Sequence, residues 1–249
     1  MLKSGFLCAA RTVLFIVILI VSGCASNQVV IDNSDPWQPA NRVSYNFTDS
    51  LDRNVIKPVA EGYVKVTPTY VRQRVTNFFS NILYINVILN TYLQGKMYQG
   101  TQDVLRFVYN STFGIAGLYD VSTPIGMPEH LEDVGQTLAT WGLSQGPYLY
   151  VPILGPNTVR NVANIGTNIV LSPLFYTPAY VAWPATILFT INTRANLLEA
   201  TKIRDEAAVD AYIFTREAFL QRREFLIYDG NPPAGEYDDI FDESYLEDF

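Results

Sequence analysis

The chain has 249 residues, with 17 basic and 24 acidic side chains, one histidine and a formal net charge of -7. Glu236, Asp238, Asp239, Asp242, Glu243, Glu247 and Asp248 supply the whole acidic excess, so residues 1–235 are electrically balanced. No basic patch exists to neutralise a phosphate backbone, which excludes nucleic acid as a partner, and no Gly-x-x-x-x-Gly-Lys-Ser/Thr loop exists to cradle a nucleotide.

The N-terminus carries Lys3 and Arg11 and then an uncharged run over 12–23. A helix crossing a bilayer needs roughly 20 apolar residues, so this run has the length of a signal peptide's apolar region instead. It ends in Val21-Ser22-Gly23-Cys24, which resembles the box read by the lipoprotein-processing signal peptidase. Residues 1–23 are therefore expected to leave as a signal peptide and Cys24 to become the first residue, bearing a covalent N-acyl diacylglycerol. Cys8 leaves with the signal, so Cys24 has no disulfide partner. Ala25 follows where an Asp would be a retention signal, which favours the outer membrane with the body facing the periplasm. Residues 24–34 then serve as a lipidated tether.

Helix signals follow. Asp35-Pro36 reads as a cap and a first-turn proline ahead of Trp37, Ala40, Phe47 and Leu51, and Thr67-Pro68 repeats the device ahead of Val71, Val75, Phe78, Phe79 and Ile82. Further helices are expected over about 99–113 and about 131–141, each stopped by glycine. Residues 118–128 read as a hairpin or loop and 148–154 as an extended stretch bounded by proline. The pairs Tyr212/Ile213, Phe219/Leu220 and Leu226/Ile227 mark a last helix before Asp229-Gly230-Asn231-Pro232-Pro233. The fold class is mainly α, with one domain over 35–229 and an acidic disordered tail over 230–249.

Between 134 and 193 the only ionisable side chain among Asp, Glu, Lys, Arg and His is Arg160. Either the segment is deeply buried, or it faces lipid. Core helices of soluble proteins keep a charged outer face, whereas a charge near mid-bilayer costs at least ~2.5–3.5 kcal/mol, so the pattern favours a body immersed in lipid without spanning it. Pro147, Pro152, Pro156, Pro173, Pro178 and Pro184 interrupt any spanning helix. Trp141, Tyr148, Tyr150, Tyr176, Tyr180 and Trp183 suit the depth of lipid headgroups.

Catalytic signals do not add up to an enzyme. Gly142-Leu143-Ser144-Gln145-Gly146 matches the nucleophile elbow of serine hydrolases, but a helix is expected before it and Pro147 stands after it. The only histidine, His130, precedes the serine, opposite to the order that elbow requires. Glu132 and Asp133 read as residues that cap or precede a helix, and no metal site is expected.

Denser signals lie in runs of short words. Asn41-Arg42, Tyr45-Asn46-Phe47, Leu51-Asp52-Arg53, Lys57-Pro58-Val59-Ala60, Asn77-Phe78-Phe79-Ser80-Asn81 and Leu93-Gln94-Gly95-Lys96 come first. Arg106-Phe107, Asn110-Ser111-Thr112, Gly117-Leu118-Tyr119-Asp120-Val121, Glu132-Asp133-Val134-Gly135-Gln136-Thr137-Leu138, Gly146-Pro147-Tyr148-Leu149 and Pro152-Ile153-Leu154-Gly155-Pro156 follow, and Arg216-Glu217 stands near the end. In this order and spacing they resemble the MlaA family, also called VacJ lipoproteins. Val134, Asn161 and Ala211 depart from the residues usual there.

The resemblance implies a ring-shaped helical domain, doughnut-like, embedded in the inner leaflet of the outer membrane around a central amphipathic channel. It implies partnership with a trimeric porin and a periplasmic phospholipid carrier of the Mla system, removal of mislocalised phospholipids from the outer leaflet, and no cofactor beyond the lipid on Cys24. A two-chain lipid holds on the order of thirty methylenes at about 0.8 kcal/mol each, so its full exposure to water costs more than about 20 kcal/mol and a continuous protein path is needed. Such a path asks for neutral polar side chains. Asn157, Asn161, Asn164, Thr167 and Asn168 are candidates to line it, or are a polar helix face and its caps. Gly114 and Gly117 let a loop near Asp120 act as a gate, or simply end a helix. The competing reading is a structural, porin-binding envelope lipoprotein that moves no lipid.

Overall fold

The structure, a computed structural model, describes residues 35–233, which fall within one compact unit. The expectations for the signal peptide, Cys24, the tether and nearly all of the acidic tail concern residues outside that range.

Helix α1 (Gln38–Leu51) continues through a π-helical turn (Asp52–Ile56) into α2 (Lys57–Val66), and α3 (Thr69–Leu93) pairs with α4 (Met97–Thr112). The loop over 113–133 contains one 3-10 turn (Thr123–Ile125) and leads to the short α5 (Val134–Thr140). A hairpin follows, β1 (Tyr148–Val151) antiparallel to β2 (Gly155–Thr158), with Tyr148 opposite Thr158 and Val151 opposite Gly155. Helices α6 (Val162–Val170), α7 (Ala179–Asn196), α8 (Leu198–Ala207) and α9 (Ala211–Ile227) complete the mainly helical architecture. Among the described residues no helix is long and apolar enough to cross a membrane.

Local rules account for several boundaries. Asp133 caps α5 by accepting from the Gln136 backbone N–H, and Asp210 caps α9 by accepting from Tyr212 and Ile213. Asp35 does not cap α1. Its fully buried carboxylate instead accepts from Asn41 Nδ2 at 2.8 Å, from the Tyr212 hydroxyl and from Arg216 Nη1 at 3.4 Å, so a residue read as a local signal is a long-range clasp between the first helix and the last. Asn41 completes that seam like an added strand residue, donating to the Tyr148 carbonyl at 3.1 Å and accepting from the Tyr150 N–H at 2.8 Å. Tyr45, Tyr148, Tyr150 and Tyr212 pack beside it, the rings of Tyr45 and Tyr150 meeting edge-on at 5.4 Å.

The distribution of polarity is inverted. Among the described residues twenty polar or charged side chains are buried against eight apolar ones, and five of the eight are tyrosines. Helix α1 turns Asn41 and Tyr45 inward and leaves Val43 and Phe47 exposed at 70% and 56%. Helix α3 buries Asn81, Asn86, Asn90 and Thr91 beside Phe79 and Tyr84, while Tyr70, Val71, Leu89 and Leu93 face outward. The charge-poor segment is not a dry interior: α6 buries none of its side chains, and Phe175, Tyr176, Tyr180, Trp183 and Ile187 are all more than half exposed. Soluble proteins scatter apolar side chains singly over their surface, whereas these form extended faces.

Candidate functional site

The polar interior is organised by α3, α4 and the loop that follows α4. Helix α4 ends in a reversal in which Ile115, Ala116 and Gly117 all take positive φ, at 54°, 55° and 84°. Gly114 lies so close to the backbone carbonyls of Tyr119 and Asn110 that a Cβ there would sit 2.2 and 2.3 Å from their oxygens, and a Cβ on Gly117 would meet the Asn81 side chain at 2.4 Å. Close approach and left-handed backbone both demand glycine here. The reversal returns the chain over α4, where Asn110 Oδ1 accepts from the N–H groups of Val121 and Ser122 at 2.9 and 3.1 Å and its Nδ2 donates to Asp120 at 3.2 Å.

Arg106, buried in α4, then fastens the loop at three points, donating to Asp120 Oδ2 at 2.9 Å, Thr123 Oγ1 at 2.9 Å and the Met127 carbonyl at 2.7 Å. Burial works against the Asp120 carboxylate, but hydrogen bonds from Thr123 and Arg106 outweigh it and hold its pKa at about 2. A second carboxylate, Asp103, is fully buried and accepts from Tyr84 at 2.9 Å and Thr91 at 3.0 Å, with His130 Nδ1 2.7 Å away.

Between these elements lies a polar recess of about 30 Å³. Asn77, Ser80, Asn81 and Tyr84 of α3, Arg106 and Asn110 of α4, and Gly117, Asp120 and Glu129 of the loop line it. That volume accommodates about two waters and no lipid headgroup. Enclosure raises the Glu129 carboxyl above its usual range against the pull of Arg106. Among the described residues no group of three or more metal-binding side chains occurs.

The sequence candidates divide between this recess and other places. Gly117 and Asp120 line the recess, and Gly114 shapes the turn that carries them. Asn161 and Asn164 meet at the start of α5 instead: Arg223 grips Asp133 through both nitrogens, at 2.5 and 2.9 Å, and donates to Asn161 Oδ1 at 3.1 Å, while Asn164 donates to Asp133 at 3.3 Å. Asn157 stays within the hairpin, reaching the Gly155 carbonyl at 3.4 Å, and Thr167 bonds back to carbonyls of its own helix. Asn168 accepts from Asn86 at 2.5 Å, and from there a string of neutral groups runs through Asn90 to Thr137 at 2.8 Å per step. Asn81, Asn86 and Asn90 were not anticipated. Their signal was present, since asparagines inside a long helix are poor helix formers that need a polar use.

Ser144 follows helix α5 rather than a strand, and its motif leads into β1, the reverse of a nucleophile elbow. His130 is engaged with Asp103.

The profile of the family described as MlaA lipoprotein matches residues 33–226. The chain belongs to the MlaA lipoprotein family. It is 32% identical over 221 residues to the protein of Escherichia coli (strain K12) named intermembrane phospholipid transport system lipoprotein MlaA, covering 85% of this chain and 86% of that one. An uncharacterised protein of Rickettsia felis is 34% identical over 192 residues, 76% of each chain. A structure solved for the structural basis for maintenance of bacterial outer membrane lipid asymmetry is similar with a TM-score of 0.68 and 29% identity, covering 78% of this chain and 99% of that one. The MlaA match begins beside Asp35 and stops within α9, so the buried clasp lies inside the family's domain while residues 1–32 and the acidic C-terminal stretch lie outside it.

Proposed function

We propose that this lipoprotein removes mislocalised phospholipids from the outer leaflet of the outer membrane and passes them to a periplasmic carrier of the Mla system, maintaining lipid asymmetry. In this reading Cys24 anchors the body on the outer membrane, facing the periplasm. The domain lies in the inner leaflet as a ring beside a trimeric porin, and lipid passes through a channel inside it without being cleaved.

The inverted polarity carries the proposal. An outer surface built from Val43, Phe47, Trp183 and Ile187 is suited to acyl chains, and an interior built from Asn81, Asn86, Asn90 and Arg106 is suited to polar groups and water. A scaffold that only gripped a porin would need the first and not the second. The similarity to an intermembrane phospholipid transport lipoprotein over 85% of the chain points the same way.

The test is depletion of the protein in its own cell, followed by labelling of surface-accessible phospholipid with a membrane-impermeant amine reagent. Surface phospholipid rises if the protein removes it and returns to normal on re-expression. An unchanged outer leaflet overturns transport and leaves the structural role.

A further inference from the structure

Three cations stand around the α2–α3 turn with no acid to hold them. Among the described residues Lys65, at the end of α2, and Arg72 and Arg74, in the opening turns of α3, form no ion pair. Helix α3 has no acidic side chain in its first turn, and Glu61, the nearest acid in the chain, pairs with none of the three. Both guanidinium groups lean back toward the turn. Arg72 Nη2 donates to Thr69 Oγ1 at 3.0 Å, and the Arg74 guanidinium lies 4.3 Å from the ring centre of Tyr70 and 4.2 Å from that of Tyr119, whose hydroxyls meet at 2.8 Å. Arg72 is also close enough to Tyr63 of α2 for its charge to oppose the rise in the Tyr63 pKa that burial causes. The Tyr119 N–H donates to the Gly114 carbonyl at 2.9 Å, which joins the reversal after α4 to the same region.

This region is open to the surroundings. Lys65 is exposed, and Val66, Tyr70, Phe113 and Ile115 are 80%, 53%, 71% and 62% exposed. Ile115 is displayed from a left-handed backbone that β-branched residues rarely adopt. Basic and tyrosine side chains set among exposed apolar ones are the composition of a membrane-interface anchor, in which the polar tips meet headgroups and the apolar bodies meet acyl chains. Continuity says which partner covers it. The apolar residues run on into Leu105, Val108 and Tyr109 along the outward side of α4, which the lipid-handling reading sets among acyl chains. Charge says which lipid. A zwitterionic headgroup brings its own ammonium to cations that have no acid, whereas an anionic headgroup brings a net negative charge.

We propose that Lys65, Arg72 and Arg74 form a docking face for the headgroups of anionic phospholipids, with Val66, Phe113 and Ile115 reaching into the acyl layer beside them. This rests on the lipid-handling reading above and adds to it a preference for lipid charge and a part of the domain fixed at headgroup depth.

The test uses the full lipoprotein in detergent supplied with equal amounts of phosphatidylglycerol and phosphatidylethanolamine of identical chains, and native mass spectrometry reads which lipid is retained. The wild type retains phosphatidylglycerol in preference. The double variant Lys65→Gln/Arg72→Gln loses that preference by about tenfold, as expected for two cations at an anionic surface. The control Lys202→Gln/Arg222→Gln, which removes the same charge from exposed positions elsewhere, keeps it. Hydrogen exchange in the wild-type segments 66–69 and 113–119, slowed by phosphatidylglycerol more than by phosphatidylethanolamine, reports on the same contact should the double variant fail to fold. Equal retention of the two lipids by the wild type, with no difference in exchange, overturns the docking face and leaves the transport reading intact. An equal loss in both double variants shows an effect of net charge and overturns the assignment to this face. A wild type that retains neither lipid overturns this face and the transport reading together.

Discussion

Arg106 in α4 and Asp120, fourteen residues later in the loop, are joined at 2.9 Å, and the same carboxylate takes the Thr123 hydroxyl at 2.6 Å. The pair turns a long irregular segment into a wall of the polar recess. Asp120→Ala leaves buried Arg106 without its acid and is expected to destabilise the protein by about 2–3 kcal/mol, measured by thermal melting in detergent.

Acid should act on the same contact. An unfolded aspartate titrates near about 3.9, and the folded Asp120 is held at about 2, so its stabilising contribution is complete above about pH 4 and is lost as pH falls toward 2. The melting difference between the wild type and Asp120→Asn is expected to stay constant from neutral pH to about pH 4 and to shrink below it. A difference that shrinks already near pH 6 would mean another group governs the loop.

Two glycines with the same backbone sign make a controlled comparison. Gly117 and Gly142 have φ of 84° and 88°, but an added Cβ meets Asn81 at 2.4 Å in the first case and open space in the second. Gly142→Ala is expected to cost only the left-handed strain, about 1 kcal/mol, whereas Gly117→Ala adds a steric conflict of about 1–3 kcal/mol. Equal melting temperatures for the two variants would contradict the close packing of the loop on α3.

The outward apolar face can be tested at Ile187 in α7, which is 55% exposed. On a surface facing water, Ile187→Lys changes stability by less than about 0.5 kcal/mol. On a surface facing acyl chains it costs about 2.5–3.5 kcal/mol, so the variant should fold in detergent but incorporate poorly into liposomes, as read by flotation.

Anchoring is checked by fractionation. Cys24→Ala is expected either to release the body from the membrane fraction or to leave it with its signal uncut, and palmitate labelling should disappear in both cases.

Much of the helical framework was legible from local pattern. The stripe after Thr67-Pro68 became α3, the span ended by Gly114 became α4, and the paired residues at 212–227 became α9. Which side faced inward was less legible, because an apolar stripe such as that of Phe47 and Val71 ordinarily marks a core. Here those residues are exposed, and the missing charges over 134–193 were the clue that the usual sense fails. Strand β2 contains Gly155 and Pro156 and shows no alternation, and α7 carries Pro184 in its body, so neither was readable by period or propensity. Of the candidate site, Gly117 and Asp120 were reached from motif words, whereas the meeting of Asp133, Arg223 and Asn161 depends on contacts up to 90 residues apart that leave no local trace.

The clasp at Asp35 has a consequence for biogenesis. Its partners Tyr212 and Arg216 come 177 and 181 positions later, so the shell around the carboxylate stays open until the chain has been made as far as α9. The seam at the start of the domain is therefore the last to close. A product truncated ahead of residue 211 would stay unsealed, its polar inside open along one edge.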